Sequence, residues 1–168
     1  MQLNSVMDNN NKAQVPASLL LNPVHLLSLG FGSGLSSKMP GTMGSIVGIG
    51  LFLLLPELDW KIYLLIVVVA LILGIYLCAE TARALKVHDH PAIVWDEIVG
   101  IFITLFMVPK EWLWLALGFI LFRLFDIVKP WPISIADKRI KGGLGIMLDD
   151  VIAGLFSLLI IQIILYLL

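Results

Sequence analysis

Charge and cysteine are both scarce in this chain of 168 residues. Only 14% of the residues are charged, whereas a soluble domain carries about 25%. Hydrophobic residues make up 60%, and the mean hydropathy is +1.00. That is more apolar surface than one small globule can bury, and it predicts a membrane protein. The same composition excludes disorder as the main state, because disorder needs few apolar residues. A basic excess is missing too. With 11 Lys plus Arg against 12 Asp plus Glu, the net charge of −1 argues against nucleic acid as a partner. The single Cys78 lies inside an apolar run, so it forms no intrachain disulfide and reports no redox compartment. Cysteine and histidine at zinc spacing are also absent, as is the Gly-Lys-Ser/Thr ending of a nucleotide-binding loop.

What is present is a series of apolar segments. Residues 1–20, with Asn9-Asn10-Asn11 and no apolar period, read as a mobile tail ahead of a single domain at 21–168. No short basic region precedes the first apolar run, so no secretory signal is read. Segments 62–79 and 151–168 each run 18 residues without a charge, enough to cross a hydrocarbon core of about 30 Å. Segment 42–55 is apolar but short. Segment 92–108 is long enough only with Asp96 and Glu97 in its first turns, and 112–128 only with Arg123 and Asp126 inside it. Pro-containing turns at 55–61 and 108–112 separate these segments. The expectation is an all-α, multi-pass helical bundle with about five membrane-embedded helices: two hairpins and a terminal helix, joined by cytoplasmic segments. If both turns and the C-terminus share one side, that side holds Lys61 and Lys110. The other holds Lys12, Lys38, Arg83, Lys86, Lys129, Lys138, Arg139 and Lys141. By the positive-inside rule the second side is cytoplasmic.

The ionisable residues inside these segments are the candidates for chemistry. Counted from Lys110, Glu97 and Asp96 lie 13 and 14 residues back, and Arg123 and Asp126 lie 13 and 16 forward. On antiparallel neighbours all four fall at similar depth. Charges at membrane depth cost several kcal/mol unless paired, solvated or metal-bound. A structural Arg–carboxylate lock is one reading, and a functional site the other. Arg123, Asp126 and Lys129 recur at helical spacing and share a face. Asp149-Asp150 is read as opening the last helix after a glycine-rich approach. Capping by the helix dipole explains one of the two carboxylates, but not readily both. Several carboxylates without thiolates are the donor set that hard Mg²⁺ selects, with Asp96, Glu97, Asp126 and Asp150 as ligands. Direct attack by a metal-activated water and a carboxylate nucleophile both stay open.

Two loops add further candidates. His88-Asp89-His90-Pro91 either shuttles protons or forms a turn with local hydrogen bonds. The glycine-rich stretch 30–45 either cradles a phosphate, with Gly41, Thr42 and Ser45 nearest the anion, or lets helices approach closely. Pro40 suits the first position of a helix there.

Taken together, several motifs resemble the phosphatidylglycerophosphatase A family. They are Leu29-Gly30-Phe31-Gly32-Ser33-Gly34-Leu35-Ser36, Pro40-Gly41-Thr42-Met43-Gly44-Ser45, His88-Asp89-His90 and Val94-Trp95-Asp96-Glu97, then Phe122-Arg123-Leu124-Phe125-Asp126-Ile127-Val128-Lys129-Pro130-Trp131-Pro132 and Gly142-Gly143-Leu144-Gly145-Ile146-Met147-Leu148-Asp149-Asp150. They occur in the family's order between about residues 22 and 154, and the acidic positions are all present. The resemblance implies a bacterial inner-membrane, Mg²⁺-dependent lipid phosphatase. Its substrate would be phosphatidylglycerophosphate and its products phosphatidylglycerol and phosphate. In that setting Asp96, Glu97, Asp126, Asp149, Asp150, His88 and Asp89 are the catalytic candidates. Arg123 and Lys129, with Gly41, Thr42 and Ser45, are the phosphate-binding ones. A small Mg²⁺ or proton transporter is the alternative, since intramembrane carboxylates also line ion paths.

Overall fold

The computed structural model describes residues 15–87, 89–135 and 140–168. Every regular element among them is helical. The helices are α1 (Pro23–Ser28), α2 (Pro40–Leu54), α3 (Trp60–Leu85), α4 (Trp95–Thr104), α5 (Trp112–Val128) and α6 (Gly142–Leu167). Residues 1–14 of the expected tail lie outside the described residues. Within the rest of it, Ala17–Leu21 forms a 3₁₀ turn whose Leu19 N–H donates to Pro16 C=O at 3.0 Å.

Among the described residues two helices, α3 and α6, are long and apolar enough to cross a membrane. Each has 26 residues, or about 39 Å at roughly 1.5 Å per residue. Their outer faces stay apolar: Ile62, Leu65, Val69, Ile72 and Tyr76 on α3 recur at helical spacing and are all exposed. Water would penalise that stripe and lipid would not. Both helices start earlier or end later than their uncharged cores. Lys86, left-handed at φ 55°, ends α3 beyond Arg83.

The packing departs from two side-by-side hairpins. α2 lies against α4 rather than chiefly against α3, and α6 packs against α3, α4 and α5. Glycine is the reason. A Cβ on Gly44 would meet the Val94 side chain at 2.7 Å, and one on Gly48 would meet Ile98 and Ile101 at 3.2 Å. These two positions and Gly41 share one face of α2, so its backbone seats directly on α4. The expected segment 92–108 is also corrected. Its helix spans only Trp95–Thr104 and is buried by its neighbours along 98–104. The chain then unwinds through Met107, which takes a positive φ of 56° just before Pro109. Segment 112–128 matches α5 end to end.

Polar anchors hold α4 in place. The Trp95 indole N–H donates to Ala70 C=O on α3 at 3.0 Å, and Val94 N–H to Ser28 C=O at 2.9 Å. At the far end Tyr63 O–H donates to Phe102 C=O at 2.8 Å. There Lys110 Nζ also donates to Leu55 C=O, so the two Pro-containing turns are neighbours.

Candidate active site

The N-termini of α2 and α4, the C-terminus of α5 and the early turns of α6 converge at the end opposite those turns. They enclose a cavity of about 370 Å³. Asp89, Asp96, Glu97, Asp126, Asp149 and Asp150 line it, together with Lys38, Arg123 and Lys129. Six carboxylates thus face three cations. A cavity of about 400 Å³ between the two turns has Glu57 and Lys110 as its charged groups and is otherwise mostly apolar. The chemistry gathers at the first cavity.

Each acid arrives by its own route. Asp96 and Glu97 sit in the first turn of α4, where the helix dipole favours negative charge. Asp149 and Asp150 do not open the last helix, contrary to expectation. α6 begins at Gly142, so both acids lie about two turns inside it, and helix capping explains neither. The glycine-rich approach is itself helical and passes close to α3: a Cβ on Gly143 would collide with the Ile75 carbonyl oxygen. Further along α6, a Cβ on Gly154 would come within 2.7 Å of the Gly100 carbonyl oxygen on α4. These close approaches press the acid-bearing face of α6 toward α4. Asp150 is left only 3% exposed.

Two of the acids have cation partners. Arg123 Nη1 lies 2.5 Å from Asp126 Oδ2 along α5. Lys129, left-handed at the end of α5, reaches Asp149 Oδ2 at 2.6 Å. By contrast, Asp96 Oδ1, Glu97 Oε2 and Asp150 Oδ2 are buried with no hydrogen-bond partner among the described residues. Charged oxygens buried without partners cost several kcal/mol. Ligand atoms of Asp96, Glu97 and Asp150 come within 4.8 Å of one another, as do those of Asp126, Asp149 and Asp150. An all-oxygen donor set with orphaned buried oxygens fits a hard divalent cation such as Mg²⁺.

The glycine-rich segment divides between its two readings. Gly41 and Thr42 line the cavity, at the N-terminus of a helix that Met39 leaves without a side-chain cap. A Cβ on Gly41 would strike Glu97 Oε1 and come within 3.1 and 3.2 Å of Arg123 Nη1 and Nη2. Glycine therefore keeps open the space in front of the guanidinium. Ser45 is a correction. It is fully buried and its hydroxyl donates to Gly41 C=O at 2.9 Å, one turn back within α2, so it does not face the cavity. Asp89 lines the cavity, and His88 lies outside the described residues. His90 is buried and accepts from Ala92 N–H at 3.1 Å, the local turn bond that was its other reading. Lys38 was read from the sequence only as a topology charge. Its place just before Met39-Pro40 was the signal that it sits where α2 meets the cavity.

The sequence pattern of phosphatidylglycerophosphatase A matches residues 26–165, which span every element that builds this cavity. The chain belongs to the phosphatidylglycerophosphatase A family. A relative of that name from Escherichia coli is 50% identical over 137 residues, covering 81% of this chain and 80% of its own. Another of the same name from Haemophilus influenzae is 48% identical over 144 residues, covering 84% and 88%. A Bacteroides thetaiotaomicron protein with a provisional name as a phosphatidylinositol-3-phosphatase is 40% identical over 147 residues, covering 82% and 91%. No solved structure matches the chain.

Proposed function

We propose that this chain is a lipid phosphatase that hydrolyses phosphatidylglycerophosphate to phosphatidylglycerol and phosphate, with Mg²⁺ as cofactor. Family membership supports the substrate. One structural observation carries the chemistry: three buried carboxylate oxygens without partners share a cavity with an arginine whose front is kept open by a glycine. A Mg²⁺ ion held by Asp96, Glu97, Asp126 and Asp150 would supply charge neutralisation and water activation.

The chain's own groups supply the rest. Arg123 presents a planar fork suited to two oxygens of a phosphoryl group. Its pairing with Asp126 orients that fork before substrate arrives. The capless N-terminus of α2, at Gly41 and Thr42, adds a favourable dipole for the same anion. Lys129 and Lys38 raise the local positive potential, with Lys129 steadied by Asp149. The remaining carboxylates would take the proton of an attacking water. With the acids gathered in one cavity at one end of the helices, and not at successive depths, an ion path is disfavoured.

The same reading places α2 to α6 as about five membrane-embedded helices in a bacterial inner membrane, the cavity facing the cytoplasm. The acyl chains would stay among the exposed apolar faces while the headgroup enters between the helix ends. Lys38, Arg83, Lys86, Lys129 and Lys141 on the cavity side support that orientation. The test is phosphate release by purified protein from a panel of lipid phosphomonoesters in detergent micelles. Release from phosphatidylglycerophosphate should stop with chelator and return with Mg²⁺. Undiminished release in excess chelator would remove the metal from the reading.

A further inference from the structure

The two acid triads are not separate sites. Asp96 and Glu97 from α4 meet Asp150, and Asp126 from α5 with Asp149 from α6 meets the same Asp150. Asp150 is the most buried acid of the cavity at 3% exposure, and its Oδ2 has no partner among the described residues. A carboxylate with a partnerless oxygen at that depth, lining the cavity between two sets of oxygens, points to charge arriving from both sides. One divalent ion would satisfy one triad. It would leave acids of the other to balance against Lys38, Arg123 and Lys129.

We propose that the cavity holds two divalent cations, with the Asp150 carboxylate bridging them. Asp96 and Glu97 hold the first ion, and Asp126 and Asp149 the second. This deepens the magnesium-dependent reading and rests on it. Two-metal sites that act on phosphate esters hold their ions about 3.5–4 Å apart, a spacing that a bridging carboxylate spans. The geometry also assigns unequal sites. Asp126 and Asp149 of the second triad are in ion pairs with Arg123 and Lys129, whereas Asp96 Oδ1 and Glu97 Oε2 of the first are buried with no hydrogen-bond partner among the described residues. The first ion therefore binds more tightly and the second more weakly.

Mn²⁺ serves as the probe, because it replaces Mg²⁺ at oxygen sites and is paramagnetic. Purified full-length protein in detergent is titrated with Mn²⁺, counting bound ions and recording low-temperature electron paramagnetic resonance spectra. The expected result is two ions per chain in two affinity steps, with an exchange-coupled spectrum at saturation. Asp126→Asn should drop the count to one and leave an isolated-ion spectrum, and Asp96→Asn should weaken the tighter step by tenfold or more. A single ion per wild-type chain would overturn the two-ion proposal and leave the magnesium reading standing. So would two ions without exchange coupling, or two retained by Asp126→Asn. No Mn²⁺ bound at all, with phosphate release surviving chelation, would overturn both. Asp150→Asn should abolish coupling. If that variant does not fold, the two single-triad variants decide the question.

Discussion

Lys129 Nζ lies 2.6 Å from Asp149 Oδ2, and the two residues belong to different helices. The left-handed turn at Lys129 ends α5 and directs the amine back toward α6, so one ion pair closes the cavity wall and spends a single acid doing so. Arg123 does the same for Asp126 within α5. Neither pair reaches the buried, partnerless oxygens of Asp96, Glu97 and Asp150.

Neutralising an unpaired acid should separate activity from stability. In Asp96→Asn and Asp150→Asn, loss of roughly 4 kcal/mol of transition-state stabilisation would slow turnover about a thousandfold. Removing a buried charge that has no ion-pair partner among the described residues lowers a desolvation cost, so thermal unfolding in chelator should stay at or above the wild-type midpoint. Steady-state phosphate release and a thermal melt on the same preparations check this. A lowered midpoint with near-normal turnover would mean these acids only hold the helices together.

Arg123→Lys keeps the charge and the ion pair with Asp126 but loses the planar fork. The expected outcome is a fall of about ten- to a hundredfold in kcat/KM for the lipid substrate, with little change in the melt. Kinetics across a range of lipid mole fractions would show it. Unchanged kinetics would remove Arg123 from the phosphate clamp.

Gly41→Ala tests the open space before the guanidinium. Alanine favours a helix over glycine by up to about 1 kcal/mol. Its methyl group would, however, crowd Glu97 Oε1 and the Arg123 fork. Stability should hold or rise slightly while turnover falls. A variant as active as the parent would show that the guanidinium needs no clearance there.

Orientation is tested by labelling. Single cysteines at Glu57 and Glu111, in a Cys78→Ala background, should react with a membrane-impermeant maleimide in intact spheroplasts. One at Lys86 should react only after permeabilisation. The reverse pattern would invert the protein and put the cavity on the outer leaflet.

The sequence by itself determined the apolar segments, the bounds of α5, the turns at 55–61 and 108–112, and the identity of the acids and of Arg123. Those are local properties: run length, breaker residues, and charges that cannot be left in lipid without a purpose. It could also set Asp96, Glu97, Arg123 and Asp126 at matched depth, because residue count along a helix measures distance. Tertiary structure alone decided that Gly142 to Asp150 is helical, that α2 seats on α4, and that Ser45 turns away while Lys38 turns in. Each depends on how closely two backbones distant in sequence approach, as Gly143 does to Ile75 and Gly154 to Gly100. The division of the acids into paired and unpaired was likewise out of reach of the sequence. Which carboxylate a lysine reaches depends on where its helix ends and which neighbour stands beside it, and Lys129 finds Asp149 only because the chain turns left-handed at that residue.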